Sequence, residues 1–174
     1  MAQHKHIERR KLIIMKVFLV FVILLIVCIT GYSQNLPAGF GVTNATPGAS
    51  WDQPVGVVFS KDASKLFVWE KAGKVFVCKK NASGDYIKQN TAVLDISEEV
   101  ANYNDYGMTG FALDPQFDIN GLIYVSYVVD RHHLMNFPGP NYIPSFSEEN
   151  VATIGRITRY ETTVAAPDIV AIRF

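Results

Sequence analysis

Four short clusters carry side chains that could do chemistry. Asp105 and Tyr106 precede a Gly-flanked run, Gly107-Met108-Thr109-Gly110. Loops of this kind, leading into strands, present functional groups on a rigid scaffold. Asp130-Arg131-His132-His133 supplies a guanidinium able to grip a carboxylate through paired N–H bonds. It also supplies two imidazoles able to move a proton near neutral pH. Both histidines read as following a strand directly, where adjacent side chains point to opposite faces, so they do not share one metal. Neither is assigned as a catalytic base. The run Asp114 to Gly121 has the look of a calcium loop, but no Glu closes it at the twelfth position. Asp118–Gly121 therefore reads as turn chemistry. No Cys-x-x-Cys pair or His-Glu-x-x-His run is present, and no metal ligands are assigned.

The elements that must position these residues are strands. Short β-rich runs are bounded by Gly, Pro, Asn and Asp, and helical periodicity is scarce. The alternation predicts strands at Val55–Phe59, Leu66–Glu70, Lys74–Lys79, Ala92–Ile96, Thr109–Leu113, Leu122–Val129 and Ile154–Tyr160. The best helix candidate, Ser97–Asn102, is one turn at most. Phe111, Phe117, Tyr124 and Tyr127 read as packing residues. Cys78 lies within an alternating run and reads as a small buried hydrophobe. Pro138-Gly139-Pro140 and Pro144 mark an irregular loop over one face of the strands.

The strands repeat. The stretch GVVFSKDASKLFVWEKAGKVFV begins at Gly56, and GFALDPQFDINGLIYVSYVVDR begins at Gly110, followed later by GRITRY. Phe59 matches Leu113, Leu66-Phe67-Val68 matches Ile123-Tyr124-Val125, and Gly73-Lys74-Val75 matches Gly155-Arg156-Ile157. The second copy thus carries a small insertion before its second strand and a large one, about Asp130 to Thr153, before its third. AVLDI supplies a fourth strand to the first copy. Four antiparallel strands at a period near 50 describe a propeller blade. The expected fold is all-β: a partial β-propeller of about two four-stranded blades, preceded by a signal-peptide helix. An ordinary β-sandwich with chance similarity is the alternative.

The N-terminus belongs to another regime. Lys5, Arg9, Arg10, Lys11 and Lys16 precede an unbroken apolar run of 13 residues, Val17 to Ile29. That is signal-peptide length, well short of the ~20 residues of a membrane span. Gly31 and Ser33 are small and sit at minus three and minus one of a cut before Gln34. Residues 1–33 read as a cleaved signal and 34–174 as the blades, so the chain is expected to be secreted or periplasmic. An uncleaved anchor, touching the membrane only through that segment, is the alternative. Without residues 1–33, 11 basic residues face 15 acidic ones, a net charge of −4. The whole chain has a formal net charge of zero, which argues against a polyanion binder, and no nucleic-acid partner is expected. Asn44-Ala45-Thr46 and Asn81-Ala82-Ser83 fit the glycosylation pattern, which matters only in a eukaryotic secretory route. A closed propeller needs roughly four to eight blades. The expectation is therefore a truncated chain or one completed by other copies. The tail Glu161–Phe174, an apolar alternation without a cap, favours truncation.

LPAGF, LFVWEKAGKVFV, VLDISEEV, DYGMTGFALDPQFDINGLIYVSYVVDRHH and ATIGRITRY together resemble the N-terminal blades of secreted glucose/sorbosone dehydrogenases. The resemblance covers about Leu36 to Tyr160. It implies a six-bladed propeller using pyrroloquinoline quinone, often with calcium, to oxidise an aldose by hydride transfer to the quinone. It also implies a histidine base in an Asp-His pair after the second blade, and no such pair follows Tyr160. These blades alone are thus expected to be inactive, with no catalytic residue of their own. Asp105 falls where the family places a polar side chain near the quinone, commonly Gln. A carboxylate beside an anionic cofactor is unfavourable unless a cation intervenes. Tyr106, Arg131 and His132 complete the expected cofactor-binding set. The alternative function is a non-catalytic extracellular propeller module that binds carbohydrate or protein.

Overall fold

The computed structural model describes residues 15–19, 36–162 and 171–173. The chain divides into two units, 1–43 and 44–174. In the first, residues 15–19 are helical and the Phe40 N–H closes a turn on the Pro37 carbonyl. The rest of the expected signal, with its cleavage position, lies outside the described residues.

The second unit holds two antiparallel sheets. The first orders β1 (Pro54–Phe59), β2 (Lys65–Glu70), β3 (Lys74–Lys80) and β4 (Tyr86–Lys88), with β5 (Leu94–Asp95) also on β3. The second orders β6 (Met108–Leu113), β7 (Leu122–Val128), β8 (Gly155–Thr162) and β9 (Ala171–Arg173). Both are meanders, as the repeat requires. The expected fourth strand at AVLDI is corrected in detail. β4 and β5 are two halves of one outer edge, pairing with Cys78–Lys80 and Lys74–Val75 respectively. Between them Gln89 N–H and Val93 N–H continue the ladder to Val77 O and Val75 O. Tyr86–Lys88 is too short to show alternation, so only the second half was legible.

The repeat has a geometric counterpart. The register slips between Pro54 and Gly56 against β2, and between Met108 and Gly110 against β7. Gly56 and Gly110, the two starting points of the sequence repeat, therefore stand at equivalent β-bulges. At Gly56 the reason is space: a Cβ there would collide with the indole of Trp69, its cross-strand partner.

Alternation decides where the core lies. Phe67, Val75 and Val77 of the first sheet meet Met108, Ile123, Val125, Tyr127 and Tyr160 of the second, all buried. Phe111 stacks on both Phe67 and Trp69, with centroids 5.6 and 5.7 Å away, and Phe117 meets Phe67 edge-on at 5.5 Å. Of the four expected packing aromatics, Tyr124 is the exception. It lies outside that core, with its hydroxyl donating to Asp114 Oδ2 at 3.1 Å. On its other face the first sheet buries Leu66, Val68, Cys78 and Tyr86 beneath Trp51. On the second sheet Ile157 is 76% exposed, in alternation with buried Tyr160.

The Asp118–Gly121 segment is a single helical turn, α1 (Phe117–Asn120), closed by Gly121 in the left-handed region at φ 64°. Asp114 supports it by accepting from Gln116 N–H and Asn120 Nδ2 on Oδ1. Those bonds hold the Asp114 carboxyl below the usual range. The acid is thus committed to shaping the turn.

Burial pushes the Cys78 thiol up to about 11. At pH 8 it is protonated and enclosed, and only the thiolate attacks a disulfide reagent. A thiol reagent such as dithionitrobenzoate is expected to react within the dead time in denaturant. In native buffer the reaction should be slowed at least a hundredfold, to the opening rate of the sheet. Fast native labelling would contradict the burial.

Candidate functional site

In a meander, the connection entering the first strand and the one joining the second to the third emerge at the same end. Here that end gathers the Lys71–Gly73 turn, residues 96–107 and residues 129–154. Met108 N–H donates to Lys71 O at 2.8 Å, Val128 N–H to Gly107 O at 3.0 Å and Asp130 N–H to Glu99 O at 2.8 Å. Val100 and Val129 form an isolated antiparallel bridge between the two connections. The expected site residues therefore share one end of the sheets.

Their environments differ. Asp105 is exposed at a turn formed with Asn104, whose φ is +46°. Tyr106 is half-buried, its N–H on Tyr103 O and its ring 4.8 Å from that of Tyr103. The turn is tied down by Lys71 Nζ on Asn104 O (2.6 Å) and by Asn104 Nδ2 on Asn150 Oδ1 (3.3 Å). Gly107 is confined by the same contacts. Its φ is +139°, and a Cβ there would lie 2.8 Å from the Lys71 carbonyl oxygen. Gly107→Ala is expected to cost at least about 1–3 kcal/mol, from backbone strain plus that collision. It should lower the urea midpoint and free the 102–106 turn to proteolysis. Unchanged values of both would contradict the close approach.

The large insertion contains a helix where the sequence reading expects loop, α2 (Arg131–Asn136). Asp130 caps it, with Oδ1 accepting from His132 N–H and His133 N–H, while Ser147 Oγ donates to Oδ2. The expectation that the two histidines follow a strand and diverge is thereby corrected. β7 ends at Val128 and both rings project from one helical turn, buried. Asp followed by a helix start was the available signal, since Asp is a favoured N-cap.

His132 Nε2 accepts from Ile143 N–H at 2.9 Å, and its Nδ1 lies 3.1 Å from Asn136 Nδ2 and 3.8 Å from Glu148 Oε1. Both nitrogens thus face groups of its own chain. His133 Nδ1 lies 3.2 Å from Tyr142 OH, which donates to Glu98 Oε2 at 3.3 Å. Phe137 stacks on His133 at 4.6 Å, and Phe146 meets His132 edge-on at 4.8 Å. The insertion is thus a small aromatic layer of its own. Arg131 is half-buried, with Nη1 on Ala152 O at 3.2 Å. That bond uses one of its five N–H donors.

Beneath the insertion lies a buried polar network that no sequence pattern announced. Glu99 Oε1 accepts from Tyr127 OH at 2.7 Å and pairs with Arg156 Nη1; Tyr127 OH also lies 3.1 Å from Thr158 Oγ1. Burial, then Glu99, raises the Tyr127 phenol above its ordinary value; burial, then Glu98, does the same for Tyr142. No cluster of three or more potential metal ligands occurs among the described residues.

Two consecutive four-stranded meanders, bulged alike, with loops gathered at one end, define a β-propeller-type chain. It belongs to the glucose/sorbosone dehydrogenase family, whose model matches residues 51–150. No curated protein is matched. Among solved structures it is similar to an oxidoreductase (glucose dehydrogenase) from Thermus thermophilus, with 15% identity and a TM-score of 0.45. The match covers 71% of this chain and 28% of that one, so this chain spans little more than a quarter of that structure's length.

Proposed function

We propose that this chain forms the first two blades of an exported sugar dehydrogenase-like propeller that works with pyrroloquinoline quinone. On this reading residues 1–33 are a signal cut before Gln34, and 34–174 supply two wedges of a larger ring, the rest of which completes the site. The observation that carries the proposal is the convergence of the 102–107 turn and the Arg131 helix at one end of the two sheets, in a chain of this family.

The residues fit one edge of such a cofactor. The quinone carries several carboxylates, and Arg131 keeps donors for one of them. Tyr106 offers a half-exposed ring next in sequence to Asp105, whose bare carboxylate calls for a cation such as calcium between it and an anion. Bound there, the quinone would accept hydride from the sugar carbon. What this chain contributes is binding and orientation: Arg131 grips, the Lys71–Asn104–Asn150 bonds hold the turn, and His132 and Asp130 stiffen the helix carrying Arg131. The general base lies with the remaining blades.

Calorimetric titration of the quinone into the purified chain with calcium tests this. Saturable binding is expected, weakened about tenfold or more by Arg131→Ala through loss of a charge-assisted pair. With glucose and an acceptor dye, no turnover above the cofactor blank is expected. Absence of binding would remove the quinone and leave a non-catalytic binding module as the better reading. Turnover would overturn the assignment of the base to other blades.

A further inference from the structure

We propose that segment 142–147 of the insertion is a proton-released strap, held against α2 while His132 is neutral and let go when that ring takes up a proton. The segment has little burial of its own to hold it: Ile143 is 54% exposed and Phe146 52%. Its polar ties to α2 and to the 96–101 segment therefore decide where it lies. Among the described residues there are three such ties. Ile143 N–H donates to His132 Nε2 at 2.9 Å. Tyr142 OH lies 3.2 Å from His133 Nδ1 and donates to Glu98 Oε2. Ser147 Oγ donates to Asp130 Oδ2.

The three ties answer differently to acid. A backbone N–H can only donate, so the Ile143 bond exists only while Nε2 keeps a bare lone pair. An imidazolium carries N–H on both nitrogens, which turns that acceptor into a second donor. Two donors would then face each other at 2.9 Å, and one must leave. His132 is buried and fixed to a capped helix, so the ring keeps its place and the strap moves. The Tyr142 tie survives protonation of His133, because a phenol oxygen that donates to Glu98 can still accept from an imidazolium N–H. The Ser147 tie ends on a carboxylate and needs no imidazole.

The groups around the ring set the direction. Its own helix contributes Asp130, whose Oδ1 is occupied by the His132 and His133 N–H groups, then His133 and the neutral Asn136, with Nδ2 3.1 Å from His132 Nδ1. Arg131 turns away to Ala152 O. The loop contributes Tyr142, stacked on His132 at 5.7 Å, and Glu148, with Oε1 3.8 Å from Nδ1. Glu148 offers the imidazolium an anion and so favours release. From the 96–101 segment Glu98 acts through Tyr142, while Glu99 pairs with Tyr127 and Arg156. The Ile143 N–H is the partner that the charged ring cannot keep. The strap is thus closed above the ordinary histidine range, about pH 6.5, and opens as pH falls through it. No cofactor enters this device, so it stands or falls apart from the quinone reading.

Amide exchange followed by NMR in the purified protein, corrected for the intrinsic pH dependence of exchange, tests this. Between about pH 8 and about pH 5 the protection of the Ile143 amide is expected to fall about tenfold or more, the worth of one hydrogen bond. The midpoint should coincide with the titration of the His132 ring protons. The His132 and His133 amides, capped by Asp130, should stay protected throughout. Their loss together with that of Ile143 would mean that the helix unravels from its cap, and would overturn the strap. An Ile143 amide equally protected at both ends of the range would do the same. His132→Gln removes the titrating ring, and Ile143 exchange should then be independent of pH; a pH dependence that persists there assigns the release to another group. If His132→Gln fails to fold, Glu148→Gln decides. With that anion gone, the ring and Ile143 midpoints should move to lower pH together, and midpoints that part company would overturn the coupling.

Discussion

Phe67→Ala is expected to cost about 3–5 kcal/mol, the range for removing a buried aromatic ring from a packed core. Phe67 has no exposed surface and joins the two sheets through Phe111 and Phe117. The same buried cluster holds Val75, Val77 and Ile123, side chains too short to fill the space of a ring. Against a typical stability of roughly 5–15 kcal/mol, this is a large fraction of the whole. Urea unfolding followed by tryptophan fluorescence should show a lower midpoint at an unchanged slope. A loss under about 1 kcal/mol would mean that the sheets do not share one core.

Glu99→Ala is expected to be nearly as severe, about 3 kcal/mol, for a different reason. The substitution leaves the Arg156 guanidinium without its carboxylate and Tyr127 with only Thr158 as partner. Removing one member of a buried pair costs more than the pair ever contributed, since the survivor remains desolvated. Arg156 keeps some solvent access, which holds the figure at the lower end. Glu99→Gln, which preserves volume and an acceptor, should lose about half as much. If alanine and glutamine variants match wild type, the network is a surface feature. The same network sets an alkaline limit on stability. The folded-state phenols of Tyr127 and Tyr142 are raised, so above the ordinary tyrosine value near 10 the unfolded chain releases protons that the native state still holds. Stability is therefore expected to be complete below that pH and to fall as pH rises toward the folded values. Glu99→Ala should lower the folded Tyr127 phenol and so shrink the total alkaline loss from its upper end, while the onset near 10 stays in place.

The fourth strand of the second sheet, β9, was not legible, but alternation with period 2 determined the all-β class and the inner strands, and the repeat determined the equivalence of Gly56 and Gly110. These depend on neighbours two residues apart, and a strand's faces are a local property. Which loops share an end of the sheets then follows from a meander's connectivity. Three things waited for the tertiary structure. The outer edge of the first sheet is split, and three-residue β4 exists only because β3 offers it a ladder. The capped helix of the insertion is tied to the loop after it where Ser147 meets Asp130 and Ile143 meets His132, contacts that no periodicity records. Glu99 finds Arg156 at a separation of 57 residues, which a lone Glu in SEEV cannot foretell. Local patterns encode which way a side chain points. Which distant charge it will meet is a consequence of how the sheets pack.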